Sequence, residues 1–358
     1  MRTPDLSLSE PPVFGLFQKR IAGDDSLLEL AKLRFGQAGM GAELYAGTVQ
    51  EVEHLLHFRP CSTPSVVVHL PREFKLTDAK NQRQIVELAT HFEKNVRGFV
   101  IHDHAELASD TPQWLQAARA LNSELLSIPR SPMLFIEYAA GLEPDLFVGF
   151  FESIQDLARV SACLDVGHIG IRRVRKTFLQ MHPGQDVCAL KTQPVELESL
   201  MEDVEEAVRS GLETVLEMVR SVGGCGKPVH FHLHDGHPLS AASPFGVADH
   251  LSFLSEVRLR FEYRGRRDAP LMFGPGGLRT IVERAMDAVK SERASFTLEI
   301  HPTSEQLALG AGAPLFNHWS DKTNAEKMNH WLSVLSDNQR LMMKFLASAS
   351  QTRDKPTH

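Results

Sequence analysis

Cysteine is scarce in this chain: four occur among 358 residues (Cys61, Cys163, Cys188, Cys225), far apart and with no CxxC pair. That spacing excludes a disulfide scaffold or a zinc ribbon and suits a reducing, cytoplasmic location. Long apolar runs are missing as well. No stretch approaches the roughly 18 residues needed to span a bilayer, and the opening MRTPDLSLSEPP lacks the apolar segment of a signal peptide, so no membrane partner is expected. Positive charge is not in excess: 38 Lys and Arg face 45 Asp and Glu, for a formal charge of −7 and a pI of about 6.2. This balance argues against a general nucleic-acid binder. No internal repeat, low-complexity tract or linker divides the chain, and residues 1–358 read as one domain. A hydrophobic fraction of 42% is ordinary for a soluble protein and ample for a self-sustaining core.

The 17 histidines are plentiful by contrast, and many of them end short apolar runs. The runs are SVVVHLP (Ser65–Pro71), GFVIHDH (Gly98–His104), MLFIEYAAG (Met133–Gly141), SACLDVGHIG (Ser161–Gly170), PVHFHLHDGH (Pro228–His237) and SFTLEIHP (Ser295–Pro302). With Val13–Phe17 and Ala42–Tyr45 they make eight predicted strands, nearly all apolar, as when both faces of a parallel sheet are covered. Helical stretches separate them, among them Asp24–Phe35, Thr48–Phe58, Asp78–Lys94, Thr111–Ile128, Glu143–Arg159, Val195–Val222 and Gly277–Lys290. The alternation predicts a (β/α)8 TIM barrel over about 12–302, with an insertion at about 238–270 after the seventh strand and a C-terminal helical extension at 326–348. An Arg- and Lys-rich loop is predicted for Ile171–Pro194.

Side chains just past the carboxyl ends of such strands converge on one pocket. Glu137, Asp165, His232 and Glu299 occupy those positions on the fifth to eighth strands. Carboxylates with an imidazole suit a divalent metal, Mn, Zn, Co or Mg. An acid at a barrel rim is otherwise a cap or an ion-pair member, but four in matching positions favour a shared ion. His168 follows Asp165 by three residues, close enough to face the same pocket, and His69 and His102 end the third and fourth strands. His104, His234, Asp235 and His237 flank the site as substrate or outer groups. His230 alternates with His232, points inward and lies deeper, which suits a structural role. Gly274-Pro275-Gly276-Gly277 opens a helix whose N–H groups could hold an anion. Arg172, with Arg173, Arg175 and Lys176, offers a second anion site or simply a solvated charge run, and His250 belongs to a lid-like insertion.

In FIEYAAG, CLDVGHIG, HLHD (His232–Asp235) and FTLEI, the chain resembles the xylose-isomerase-like barrel superfamily, which includes sugar and sugar-phosphate isomerases and epimerases and the endonuclease IV family. The resemblance implies that Glu137, Asp165, His232 and Glu299 hold the metal. It also implies that Glu137 and Glu299 pass a proton beside a substrate carbonyl while His168 orients the substrate or binds a second ion. The expected activity is a metal-dependent sugar or sugar-phosphate isomerase or epimerase, and a homo-oligomer is compatible with it. The likeness to endonuclease IV adds His69, His102 and His168 as further ligands and gives the alternative, a phosphodiesterase with two or three ions. The chain departs from that family's Asp-Arg-His motif: the nearest candidate is Ala248-Asp249-His250, at a different spacing.

Overall fold

Eight short runs of β-branched and aromatic residues pair side by side, all parallel, and close on themselves. A computed structural model describes residues 11–16, 24–60, 66–240, 260–263, 266–268, 272–299 and 325–353. The barrel strands are β1 (Val13–Leu16), β2 (Gly41–Tyr45), β3 (Val66–His69), β4 (Val96–His102), β5 (Met133–Glu137), β6 (Val160–Asp165), β7 (Val229–Leu233) and β10 (Ala294–Glu299). Their order around the barrel is β1-β10-β7-β6-β5-β4-β3-β2, with β2 returning to β1. The fold is therefore a (β/α)8 TIM barrel. The antiparallel hairpin of β8 (Arg260–Tyr263) and β9 (Arg266–Asp268) stands apart from it. This hairpin and a 3-10 turn at Pro238–Ser240 are what is described of the predicted insertion; 241–259, with His250, lie outside the described residues.

The outer layer comprises α1 (Asp25–Ala38), α2 (Val49–Leu56), α3 (Ala79–His91), α4 (Glu106–Ser109), α5 (Thr111–Leu126), α6 (Pro144–Glu152), α7 (Val166–Met181), α8 (Pro194–Gly224), α9 (Gly274–Ala288) and α10 (Ala325–Arg353). Local chemistry starts several of them. Asp24 and Asp78 cap α1 and α3 by accepting backbone N–H bonds, and Thr48 and Glu51 form a reciprocal capping box on α2. Pro stands in the first turn of α5, α6, α8 and α9, where no intrahelical N–H is needed. The C-terminal α10 closes the ring of helices. Its buried Leu332, Leu335, Met342 and Leu346 face the core. Arg34 on α1 donates to Asn329 Oδ1 at 2.8 Å, and Arg279 on α9 lies 5.0 Å above the Phe345 ring.

Two predicted elements differ from the structure. The basic stretch from Ile171 is not a loop but continues α7 to Met181. Val166, Ile169, Val174 and Phe178 are buried along one face, and the basic residues between them mask that periodicity in the sequence. The helix predicted to reach Arg159 stops at Glu152, and the chain then turns so that Ile154 O and Arg159 N meet partners from other elements, Lys227 Nζ and Asn122 Oδ1.

Inside the barrel the side chains form tiers, because every second residue of a strand points inward. Phe14, Val67, Val100, Phe135 and Cys163 make one apolar tier, each no more than 2% exposed. Two residues further along four of those strands stand His69, His102, Glu137 and Asp165. The same step leads from His230 to His232 and from Thr297 to Glu299. Among the described residues no helix is long and apolar enough to cross a membrane.

Candidate metal centre

Strand register sets the polar tier. His102 is paired with Glu137 across β4 and β5, and Asp165 with His232 across β6 and β7. His232 is next to Thr297, the residue two before Glu299. His69 Nε2 lies 2.9 Å from Glu137 Oε2, and His102 Nε2 lies 3.5 Å from the same oxygen. The other carboxylate oxygen, Oε1, is 3.5 Å from His232 Nδ1. That nitrogen also lies 3.3 Å from Glu299 Oε2 and 4.0 Å from Asp165 Oδ2. His168 Nε2 is 3.7 Å from Asp165 Oδ2. Five overlapping sets result among the described residues: His69–His102–Glu137, Glu137–Asp165–His168, Asp165–His232–Glu299, and below them Glu43–His69–His232 and Cys163–His230–His232, with one ligand atom per residue and the atoms of each set within 4.8 Å of one another. All seven residues expected to bind metal thus meet at the mouth of the barrel.

The donor atoms fit a cation. His232 Nδ1 and Asp165 Oδ2 are buried and make no hydrogen bond in the structure. An orphaned buried nitrogen aimed at three carboxylates is costly unless something positive lies between them. His69 donates from Nδ1 to Leu70 O at 3.0 Å and turns Nε2 to Glu137 Oε2 at 2.9 Å; burial lowers its pKa, but the Glu137 carboxylate overrides this and raises it. His232 donates from Nε2 to Glu43 Oε1 at 3.0 Å, which in the neutral ring leaves Nδ1 to offer a lone pair. Burial pushes His102 down to about 3 against the pull of Glu137, so this imidazole is neutral and ready to ligate. Burial also disfavours charge on Glu137, yet the surrounding imidazoles hold its carboxyl well below the usual range. His102 and His168 have side chains 17% exposed, against 4% or less for the other five, so they border the way in.

The flanking residues make contacts within the protein. His234 donates from Nε2 to Asp165 Oδ1 at 2.8 Å, and the same oxygen accepts the His168 backbone N–H at 2.8 Å, capping α7. Asp165 is therefore held from two sides. Asp235 accepts from the backbone N–H of Gly236 (2.7 Å), Phe273 (3.2 Å) and Gly274 (2.6 Å). An internal carboxylate thus occupies the start of α9, where the sequence suggested an anion site. His237 accepts the Leu239 N–H on Nδ1 at 3.1 Å, which places its own proton on Nε2. His104 donates to Phe74 O at 3.2 Å, and Arg172 lies 3.4 Å from Glu143. Neighbouring Lys176 and Arg175 pair with Glu143 and Asp186. Arg172, Arg175 and Lys176 of the basic run are thus matched by acids.

No family model and no curated protein sequence matches this chain. Two of the solved structures similar to it are the crystal structure of AsfvAP:AG and a citrate lyase from Burkholderia xenovorans LB400. The first is 13% identical, covers 94% of this chain and 99% of its own, and has a TM-score of 0.44. The second is 15% identical, with 97% and 94% coverage and a TM-score of 0.36.

Sequence reading missed Glu43. It is fully buried on β2 and accepts from His232, from His230 Nε2 (3.1 Å) and from the Thr297 hydroxyl. Burial raises its pKa, but the two imidazoles override this and hold it well below the carboxylate range. The signal was available: an acid inside the short strand GAELY, matching those at Glu137 and Glu299.

Proposed function

We propose that this chain is a divalent-metal enzyme that hydrolyses a phosphate ester of a small molecule, with Glu137 shared between two ions. The observation that carries this is the division of Glu137: Oε2 faces His69 and His102, and Oε1 faces His232. His69, His102 and Glu137 would hold one ion. Glu137, Asp165, His232 and Glu299 would hold the other, and His168 extends the set through Asp165. The imidazoles favour Zn or Mn over Mg. When bound, such a pair supplies an acidified water and positive charge for a leaving oxygen. The protein's own part is to hold the donors rigid above a buried tier, apolar except beneath His232, with His102 and His168 at the open side, where substrate meets the centre. The negative formal charge favours a small phosphate ester over a polynucleotide.

The isomerase or epimerase reading retains one specific observation, the Glu–Asp–His–Glu set around His232 Nδ1. It needs Glu137 and Glu299 to carry protons to and from carbon. Glu137, engaged by two histidines, has little freedom for that. Metal content and a substrate panel separate the readings. Two ions per chain and phosphate release from sugar phosphates or nucleotides are expected. One ion, with interconversion of keto- and aldo-sugars, would overturn the hydrolase reading in favour of the second. Cleavage of DNA at abasic sites would keep the chemistry and overturn the small substrate.

A further inference from the structure

Beneath His232, on the side away from Glu137, Asp165 and Glu299, lies a second buried polar set, joined to the mouth of the barrel through His232 and close to His69. Glu43, His230, Thr297, Ser295 and the back of His232 are each no more than 2% exposed. His230 and His232 stand edge to face with ring centroids 5.3 Å apart. Both turn Nε2 toward Glu43, at 3.1 and 3.0 Å. The Thr297 hydroxyl donates to the same carboxylate and lies 3.0 Å from His230 Nε2, while Ser295 Oγ is 2.7 Å from His230 Nδ1. The set is satisfied in one proton arrangement. Glu43 is acceptor only, so His232, His230 and Thr297 must all donate to it.

That arrangement has a consequence on the other side of the ring. A neutral imidazole that donates from Nε2 keeps its Nδ1 lone pair, and Nδ1 of His232 is the atom aimed at Glu137, Asp165 and Glu299. We propose that Glu43 is the positioning residue of the metal centre: it fixes the tautomer and tilt of His232 so that Nδ1 ligates, and His230, Thr297 and Ser295 in turn fix Glu43. This rests on the proposed metal reading but not on the reaction assigned to it. The carboxylate–imidazole–metal pattern raises ligand basicity, and its loss typically weakens binding by about 10–100-fold.

The test is Glu43→Gln, which keeps the shape but exchanges one acceptor for an NH2 donor. Wild type and variant are titrated with Zn2+ alone by calorimetry, and the His232 tautomer in the metal-free proteins is read from 15N shifts of the imidazole. We expect Zn2+ affinity to fall by about 10–100-fold at one site, with the Nε2-protonated form of His232 depleted in the variant. Thr297→Val, which removes one donor to Glu43 and is nearly isosteric, should weaken Zn2+ by less than Glu43→Gln; it also serves if Glu43→Gln does not fold. Unchanged affinity and tautomer in whichever variant folds overturns the inference. If the wild type binds no Zn2+ or other divalent ion, the metal reading fails instead, while the tautomer measurement still decides whether Glu43 controls His232.

Discussion

Gly167→Ala puts two opposed effects in one residue. Gly167 lies in the first turn of α7, where alanine is ordinarily the better helix former by about 1 kcal/mol. A Cβ at this position would stand 1.9 Å from His234 Cε1 and 2.5 Å from Nδ1, where carbon contacts settle near about 3.5–4 Å. The ring is fully buried and cannot yield without leaving Asp165 Oδ1, its partner at 2.8 Å. Loss of a bond to a charged acceptor costs about 1.5–3 kcal/mol, and overpacking a core position about 1–3 kcal/mol. After the helix gain is subtracted, a net destabilisation of about 1.5–5 kcal/mol remains. Urea unfolding of the metal-free protein measures it. The decisive comparison is a double-mutant cycle with His234→Ala: in that background the clash is gone, and Gly167→Ala should be neutral or stabilising by up to about 1 kcal/mol. Equal stability of Gly167→Ala and wild type, or the same penalty in both backgrounds, would refute the argument.

Asp235→Asn leaves one carbonyl oxygen where a carboxylate met three N–H groups, and about 1–3 kcal/mol of stability should be lost; a change under about 0.5 kcal/mol in chemical denaturation would show that α9 does not depend on this clamp. Lys227 donates to Ile154 O at 2.6 Å, and burial lowers its pKa from 10.5 to about 8. The folded protein therefore sheds this proton before the unfolded chain does, unfolding takes a proton up between these values, and Lys227 contributes stability that rises with pH from about 8 toward 10.5. Lys227→Met should flatten that part of the stability–pH profile, and a profile parallel to wild type would count against it.

The barrel was legible in the sequence because parallel strands covered on both faces must be short and apolar, and every predicted strand has its observed counterpart. The clustering of Glu137, Asp165, His232 and Glu299 was legible for a related reason: they interrupt apolar runs, and a buried charge needs a partner. The same logic extends to Glu43, but GAELY is a short strand with no neighbouring histidine to draw attention to it. α7 was hidden by Arg172, Arg173, Arg175 and Lys176, which crowd the spaces between its apolar residues. The roles of His234 and Asp235 were beyond sequence reading: both sit beside ligands, yet what they bind lies 69 and 38 residues away in the chain, at Asp165 and Phe273. The pairing of β6 with β7, and the approach of the α9 start to the end of β7, make those pairs neighbours.

The apolar tier of Phe14, Val67, Val100, Phe135 and Cys163 makes the barrel a vessel with a stopper at its base. Among the described residues this tier lies directly beneath His69, His102, Glu137 and Asp165. On the proposed metal reading, a cation would load before the substrate, and a seated substrate would shut it in. A chelator should strip the resting protein far faster than the protein saturated with a slow substrate, so that the order of addition, and not affinity alone, governs how the centre empties.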